Sequence, residues 1–309
     1  MKKYAVFFMI LVVSHSFLYC KKSKQKVTKN SYSLTDGLDY SFKKKNSKYR
    51  ISHEWYYYNV LSENYSCMFA VGLSKTPYIV FRGLDPASKI YYKRLKKIDE
   101  SQGKVTFDGG SINHSDRENT FQYKDAELAI SLTYKNYNNP FRLIEKKYMN
   151  VLEYNVFGPE ALVKGKIIYK NKKYEINGIG NFDHTLGHWK SKVWIWGWIP
   201  NIEGKTLVFF YQFRNFKPNK KSLVIIVDKK SYRNVKNKIY YDGKLKIECE
   251  DFKISVDVDK YKYNLAYTAH KVDAEITIDD KTMTKHGIFE YHRWRYVKKY
   301  ISIDKDKDE

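Results

Sequence analysis

The stretch NFDHTLGHWKSKVWIWGWI, residues 181–199, gathers Asp183, two of the chain's eight histidines and four of its six tryptophans. Its second half alternates. In an extended strand successive side chains point to opposite faces, so Trp194, Trp196 and Trp198 share one face while Val193, Ile195, Gly197 and Ile199 share the other. Both faces are apolar, the pattern of a strand at a junction between two packed units. An indole buries a large area yet needs a partner for its N–H, so such a row lines either an interface or a ligand cavity with a polar spot.

Outward from this segment the same pattern recurs. Period-two or short apolar runs return at short intervals, among them HEWYYYNVL (53–61), YSCMFAVGL (65–73), PYIVFRGL (77–84), AELAISLTY (126–134), KTLVFFYQF (205–213), SLVIIV (222–227) and FKISVDV (252–258). Turn signals separate them: Asp108-Gly109-Gly110, Asn138-Asn139-Pro140, Gly158-Pro159 and Asp242-Gly243. The last predicts a two-residue hairpin between NKIYY and KLKIECE. With 29 tyrosines and 17 phenylalanines favouring strands, the chain reads as all-β, an antiparallel sandwich or barrel with few helices. No exact repeat is present, but GIGNFDH (178–184) and HGIFEYH (286–292) echo each other, each with a glycine, an aromatic and an acid near the end of a run of strands.

The first residues read as an export signal. Lys2 and Lys3 precede an apolar run, Tyr4–Leu18, too short to cross a bilayer. Cys20, in FLYCKK, resembles a loose lipobox of the kind spirochaete lipoproteins tolerate, which implies cleavage after residue 19 and acylation of the cysteine. Several acyl chains anchor a protein durably. Lys21 supplies no inner-membrane retention signal, so the expected location is the outer membrane. The lysine-rich residues that follow, to about position 45, read as a polar tether.

Loss of Lys2 and Lys3 lowers the formal charge from +23 to +21. A basic surface favours anionic headgroups or acidic ligands, but the lysines are spread evenly and no recognition motif accompanies them, which excludes nucleic acid as a partner. After Cys20 only Cys67 and Cys249 remain, each inside a strand pattern, so they read either as buried free thiols or as one disulfide in an oxidising envelope, and no metal-type cysteine cluster exists. His184 and His188 flank Gly187 in strand-like sequence with no third ligand, so no metal is expected. Phosphate-binding loops and Ser-His-Asp order are absent, and no cofactor is expected.

Four segments taken in order carry a resemblance. HEWYYYNVL resembles the opening strand of proteins related to carotenoid 1,2-hydratase (hydroxyneurosporene synthase) and AttH. GKIIYKNKKYEINGIGNFDHTLG (165–187) is similar to their central stretch, VWIWGWIP (193–200) to the tryptophan-rich strand after it, and KHGIFEYHRW (285–294) to their closing strand. The resemblance implies two lipocalin-like β-barrels packed together, shared more distantly with tocopherol cyclases. It places one barrel at 46–188, a second at 189–302, and a charged tail at 303–309. It also implies a general-acid role for Asp183, and ligand-lining roles for Trp55, Tyr57, His184, Trp194, Trp196, Trp198 and Glu290. The chain departs from the hydratases in two places. Asn181 stands where they carry a tyrosine, and Leu152 and Tyr154 stand where they carry a His-x-Trp pair.

If Asp183 is buried without a cation, desolvation raises its pKa and equips it to protonate an alkene, the resulting carbocation resting against aromatic faces. The structural alternative is that Asp183 caps a turn or pairs with His184 or a lysine to fix the barrel junction. Three functions are therefore expected, in this order. The first is an envelope lipoprotein that holds a hydrophobic small molecule such as an isoprenoid, lipid or fatty acid. The second is a hydratase, isomerase or cyclase, and the third a surface adhesion or host-interaction lipoprotein. Barrel interiors plugged by tyrosine and phenylalanine would argue against a container.

Overall fold

The computed structural model describes residues 26–27, 53–73, 77–84, 88–101, 103–115, 117–136, 141–147, 150–187, 193–214, 217–227, 232–250, 252–261 and 267–292. The export signal, Cys20, His188 and the Asn138-Asn139-Pro140 turn lie outside these. The chain is all-β: two antiparallel sheets, with one short 3-10 turn at Val258–Tyr261 among the described residues.

The first sheet holds β1 (Lys26–Val27), β2 (His53–Ser62), β3 (Cys67–Gly72), β4 (Tyr78–Gly83), β5 (Tyr91–Arg94), β6 (Ile98–Ser101), β7 (Lys104–Phe107), β8 (Gly110–His114), β9 (Glu118–Lys124), β10 (Leu128–Asn136), β11 (Phe141–Lys147), β12 (Asn150–Tyr169) and β13 (Lys172–Gly187). Strands β2 to β5 and β6 to β10 pair each with its sequence neighbour, β10 continues to β12 and β12 to β13, β11 branches off β12 and carries β1, and the last strand, β13, returns to pair with β2. Its two edges, β5 and β6, are joined by Leu95–Lys97 alone, so the sheet has to curl until its ends meet. The second sheet repeats this plan with β14 (Val193–Ile202), β15 (Lys205–Arg214), β16 (Lys217–Val227), β17 (Tyr232–Asn234), β18 (Asn237–Tyr241), β19 (Leu245–Cys249), β20 (Lys253–Val256), β21 (Tyr267–Ile278) and β22 (Lys281–His292). Here β22 closes on β14, and the edges β17 and β18 are two residues apart. In both sheets the seam falls after the fourth strand of the meander.

The sequence echo acquires a place in this duplication. Gly180-Asn181-Phe182-Asp183 and Gly287-Ile288-Phe289-Glu290 occupy corresponding positions on the two closing strands. Asp183 opposes Tyr57 and Glu290 opposes Trp196. A Cβ on Gly180 would strike the carbonyl of Asn59, and one on Gly287 the carbonyl of Trp198, so the glycines serve the same close strand approach in each barrel. By this correspondence Tyr57 matches Trp196 and Asn59 matches Trp198.

Both interiors are filled. In the first barrel Tyr58 stacks on Phe69 with ring centroids 5.0 Å apart and planes 6° apart, and Phe121, Tyr134 and Phe182 surround it. The second is packed mainly with aliphatic side chains, including Ile195, Leu207, Leu245, Ile254 and Ile276. These side chains make each lumen a core rather than a vessel.

Three local expectations need correction. Gly158-Pro159 is not a turn but a bulge inside β12, where the ladder slips between Val156 and Ala161; a long continuous pairing on both sides overrides the turn signal. Asp242-Gly243 does make a hairpin, but Tyr241 pairs with Leu245, so three residues connect the strands, with Gly243 at φ 99°. Within the tether, Lys26–Val27 adds a strand to β11, whose backbone groups offer it partners it lacks alone. Cys67 is buried and Cys249 partly buried, and both are free thiols.

Candidate active site between the barrels

The barrels meet through the outward faces of the strands that close them. On β2 Tyr57 and Leu61 face outward, on β12 Tyr154 and Val156, and these pack against Trp196 and Trp198 of β14 and Ile288 of β22. Trp194 and Trp55 sit partly buried at the margin. The tryptophan row is therefore an interface, while Ile195 and Ile199 on the opposite face enter the second barrel's core. Each fully buried indole withdraws about 150–250 Å² from water, roughly 4–6 kcal/mol gross at 25 cal/mol per Å². The Trp198 Nε1–H donates to the Pro159 carbonyl at 2.5 Å. The bulge explains that bond: ladder slippage around Gly158–Ala161 leaves the Pro159 carbonyl available to the other barrel. Beside it Glu160 Oε2 accepts the Thr206 hydroxyl and, at 3.3 Å, the Asn201 backbone N–H.

Asp183 lies in this interface, 3% exposed. Thr185 Oγ1 donates to its Oδ1 at 3.1 Å and Asn181 Nδ2 to its Oδ2 at 3.4 Å. Burial pushes its carboxyl up to about 8; the neighbouring Glu290 pushes the same way, while the bonds from Thr185 and Asn181 and the charge of His184 oppose it. At pH 7 such a carboxyl is mostly protonated. The Trp196 Nε1–H donates to the Tyr154 hydroxyl at 2.9 Å, and the Tyr154 hydroxyl in turn bonds Asp183. Burial first, then the charge of Asp183, holds the Tyr154 phenol well above its ordinary range, so it stays a neutral donor. Tyr57 donates to Glu290 Oε1, and its ring meets Trp196 edge-on at 5.5 Å. Two carboxyl groups, one from each barrel, thus stand in one desolvated cluster with two tyrosines and an indole.

The structure brings Asp183, Tyr57, Trp196 and Glu290 together and separates His184 from them. Strand alternation turns His184 into the first barrel, where it stacks on Tyr56 at 4.3 Å and its Nε2 lies 3.2 Å from Glu54 Oε1. Asp183 and His184 do not form a pair across the junction. His114 shares that interior layer; burial and then the charge of His184 hold it down to about 3. Tyr154, Thr185 and Asn59 are members of the site that sequence reasoning missed. The resemblance marks Tyr154 only as a departure from the hydratases; the ladder register, which sets Tyr154 opposite Thr185 and Asn59 opposite Asn181, brings all three to the site. Among the described residues no group of three or more histidines, cysteines and acids is placed to hold a metal ion.

No protein-family model matches the sequence, and no curated protein matches it. Solved structures do. A Nitrosomonas europaea protein assigned as AttH superposes with a TM-score of 0.56 at 10% identity, over 80% of this chain and 93% of that one. Kievitone hydratase from Nectria haematococca gives 0.58 at 13% identity, over 88% and 96%. CghA, in complex with Sch210972, gives 0.54 at 8% identity, over 78% and 88%. The chain has the fold of these proteins: two lipocalin-like antiparallel barrels joined along their closing strands.

Proposed function

We propose that the barrel interface is an acid-catalysed hydratase or cyclase site for an apolar, unsaturated small molecule, with Asp183 as the general acid. The observation that carries this reading is a buried carboxyl group, its pKa raised to about 8, bonded to a phenol that also takes an indole N–H, with a second carboxyl beside it. Asp183 delivers its proton to one carbon of a double bond and the adjacent carbon becomes cationic. The faces of Trp196 and Tyr57 stabilise that charge. Hydration follows when water adds to the cation and its proton passes to Glu290; cyclisation follows when a second double bond of the substrate adds instead and the new cation it forms loses a proton from an adjacent carbon to Glu290. The Tyr57 hydroxyl orients Glu290, and Tyr154 orients Asp183.

Two further considerations support this above a carrier role. The packed interiors of both barrels leave little room for a carried ligand, and the interface is where acids from the two barrels meet aromatic side chains of both. One of the structural neighbours is itself named a hydratase. The export signal and Cys20 support a membrane-anchored location, where apolar substrates partition.

The test is proton delivery. Isoprenoid alkenes are incubated with the protein in deuterated water and recovered for mass spectrometry. Deuterium uptake at carbon is expected with the natural chain and not with Asp183→Asn, and equal uptake by both proteins would end the proposal.

A further inference from the structure

Asn59 on β2 and Asn181 on β13 stand directly opposite each other in the ladder, and neither has any exposed surface. Alternation puts them on the outward face that carries Tyr57 and Asp183. Their orientations are fixed by the bonds they make. Asn59 Oδ1 accepts the Asn181 backbone N–H at 3.0 Å, and Asn181 Nδ2 donates to Asp183 Oδ2 at 3.4 Å. What is left over is one donor and one acceptor: Asn59 Nδ2 and Asn181 Oδ1 find no hydrogen-bond partner among the described residues.

The duplication shows that the fold does not require amides here. At the corresponding positions the second barrel places Trp198 and Ile288, both apolar and both buried. A buried donor and acceptor left unmet are destabilising, so two amides at an otherwise apolar position are a departure with a cost in stability.

We propose that Asn59 Nδ2 and Asn181 Oδ1 together recognise a hydroxyl group of the substrate, and that the substrate is an oxygenated alkene rather than a pure hydrocarbon. The inference rests on the reading of this interface as a substrate site and names its substrate class. A hydroxyl is the group that fits because one oxygen both accepts and donates. A carbonyl would leave Asn181 Oδ1 unmet, an ammonium would leave Asn59 Nδ2 unmet, and a carboxylate would add a third acid beside Asp183 and Glu290. Opposed side chains on paired strands have Cβ atoms about 5 Å apart, a span that one oxygen about 3 Å from each amide bridges. Because Asn181 also bonds Asp183, the hydroxyl sits within one side chain of the acid, next to the double bond that is protonated.

The experiment compares farnesol with farnesene, which share a carbon skeleton and differ chiefly in the hydroxyl, binding each to the full chain by quenching of tryptophan fluorescence. Farnesol is expected to bind about tenfold or more tightly, since buried amides left unmet by the hydrocarbon discriminate against it. Asn181→Leu, similar in size without the acceptor, brings the ratio near one. Equal affinities for the two ligands in the natural chain, the outcome if ordered water alone serves the amides, overturn the proposal, as does a preference that survives Asn181→Leu. Should Asn181→Leu fail to fold, the natural chain's ratio decides. Binding and chemistry are read separately: a farnesol preference without deuterium uptake keeps the hydroxyl site and ends the acid-catalysis reading, whereas binding of neither ligand ends both.

Discussion

Asp183→Asn should make the protein more stable as it removes the acid. In the native chain the carboxyl titrates at about 8, against 3.8 for an ordinary aspartate. Between those values the folded protein holds one proton more than the unfolded chain. The stability linked to this group is therefore complete below pH 3.8 and is lost as pH rises through about 8, at about 1.4 kcal/mol per pH unit. By pH 7 about 4 kcal/mol has gone, and by pH 9 about 6. Asparagine is neutral in both states and carries no such dependence. It has one acceptor oxygen where the carboxyl has two, so either Thr185 or Asn181 loses a partner, at about 1 kcal/mol. The expected gain at pH 7 is then about 2–3 kcal/mol, on the order of 6 °C in Tm for a chain of this size. Guanidinium unfolding of both proteins at pH 4, 6, 7 and 9 measures it. The diagnostic is the widening gap, small at pH 4 and levelling above pH 8, because packing changes add only a constant. A gap that stays flat across this range, or narrows with pH, would refute the burial of a neutral carboxyl.

Other outcomes follow from the same geometry. Tyr154→Phe strands the Trp196 N–H and removes a partner of Asp183, so it should cost about 1–3 kcal/mol in denaturant unfolding; unaltered stability would mean the indole finds another acceptor. Glu290→Gln deletes a charge that raises Asp183. Turnover should fall because the proton acceptor is gone, and the alkaline limb of the remaining activity, where Asp183 loses its proton, should move to lower pH; an unmoved limb would show the two acids to be uncoupled. His114 and His270, held neutral by burial down to about 3 and about 4, give the opposite sign from Asp183. Below the ordinary value of 6.5 the unfolded chain takes up protons that the native state refuses, so each costs about 2 kcal/mol by pH 5. In the Asp183→Asn background, free of the opposing slope, His114→Phe should remove about half of that acid loss.

Much of the architecture was legible because period-two patterning reports one-sided burial. It located β2, β3, β4 and β15 within a few residues, and it separated the two faces of β14 correctly. Most of the strands it missed, β5 to β9, lie between Tyr91 and Lys124, and β1, β11 and β17 also escaped it. YYKR and IDES present mostly exposed or half-exposed side chains at the barrel seam, and with little to bury they show no apolar run. β12 was read in pieces because Gly158-Pro159 interrupts it, and propensity cannot tell a turn from a bulge held on both sides by neighbouring strands.

The site was legible only as an inventory. Asp183-His184 looks like one chemical unit in sequence, yet a period of two sends the imidazole into a barrel and the carboxyl to the interface. Conversely Tyr154 and Asp183 are remote in sequence and share a hydrogen bond, and Tyr57 reaches Glu290 across the whole chain. These meetings depend on register, and register is a property of ladders, not of segments.

Duplication supplies the remaining logic. A lone barrel of this kind carries one acid on the outward face of its closing strand, where water would hold it near its ordinary pKa. Packing two such faces together desolvates both acids at once, sets each against the other's charge, and brings the aromatic residue opposite each acid, Tyr57 in one barrel and Trp196 in the other, into edge-on contact. The perturbed carboxyl is therefore a product of barrel association rather than of either barrel's fold. The departures from equivalence are local: where one copy keeps Trp198 and Ile288, the other has Asn59 and Asn181 beside the acid, and the hydroxyl site proposed above depends on this difference between the two halves of the interface.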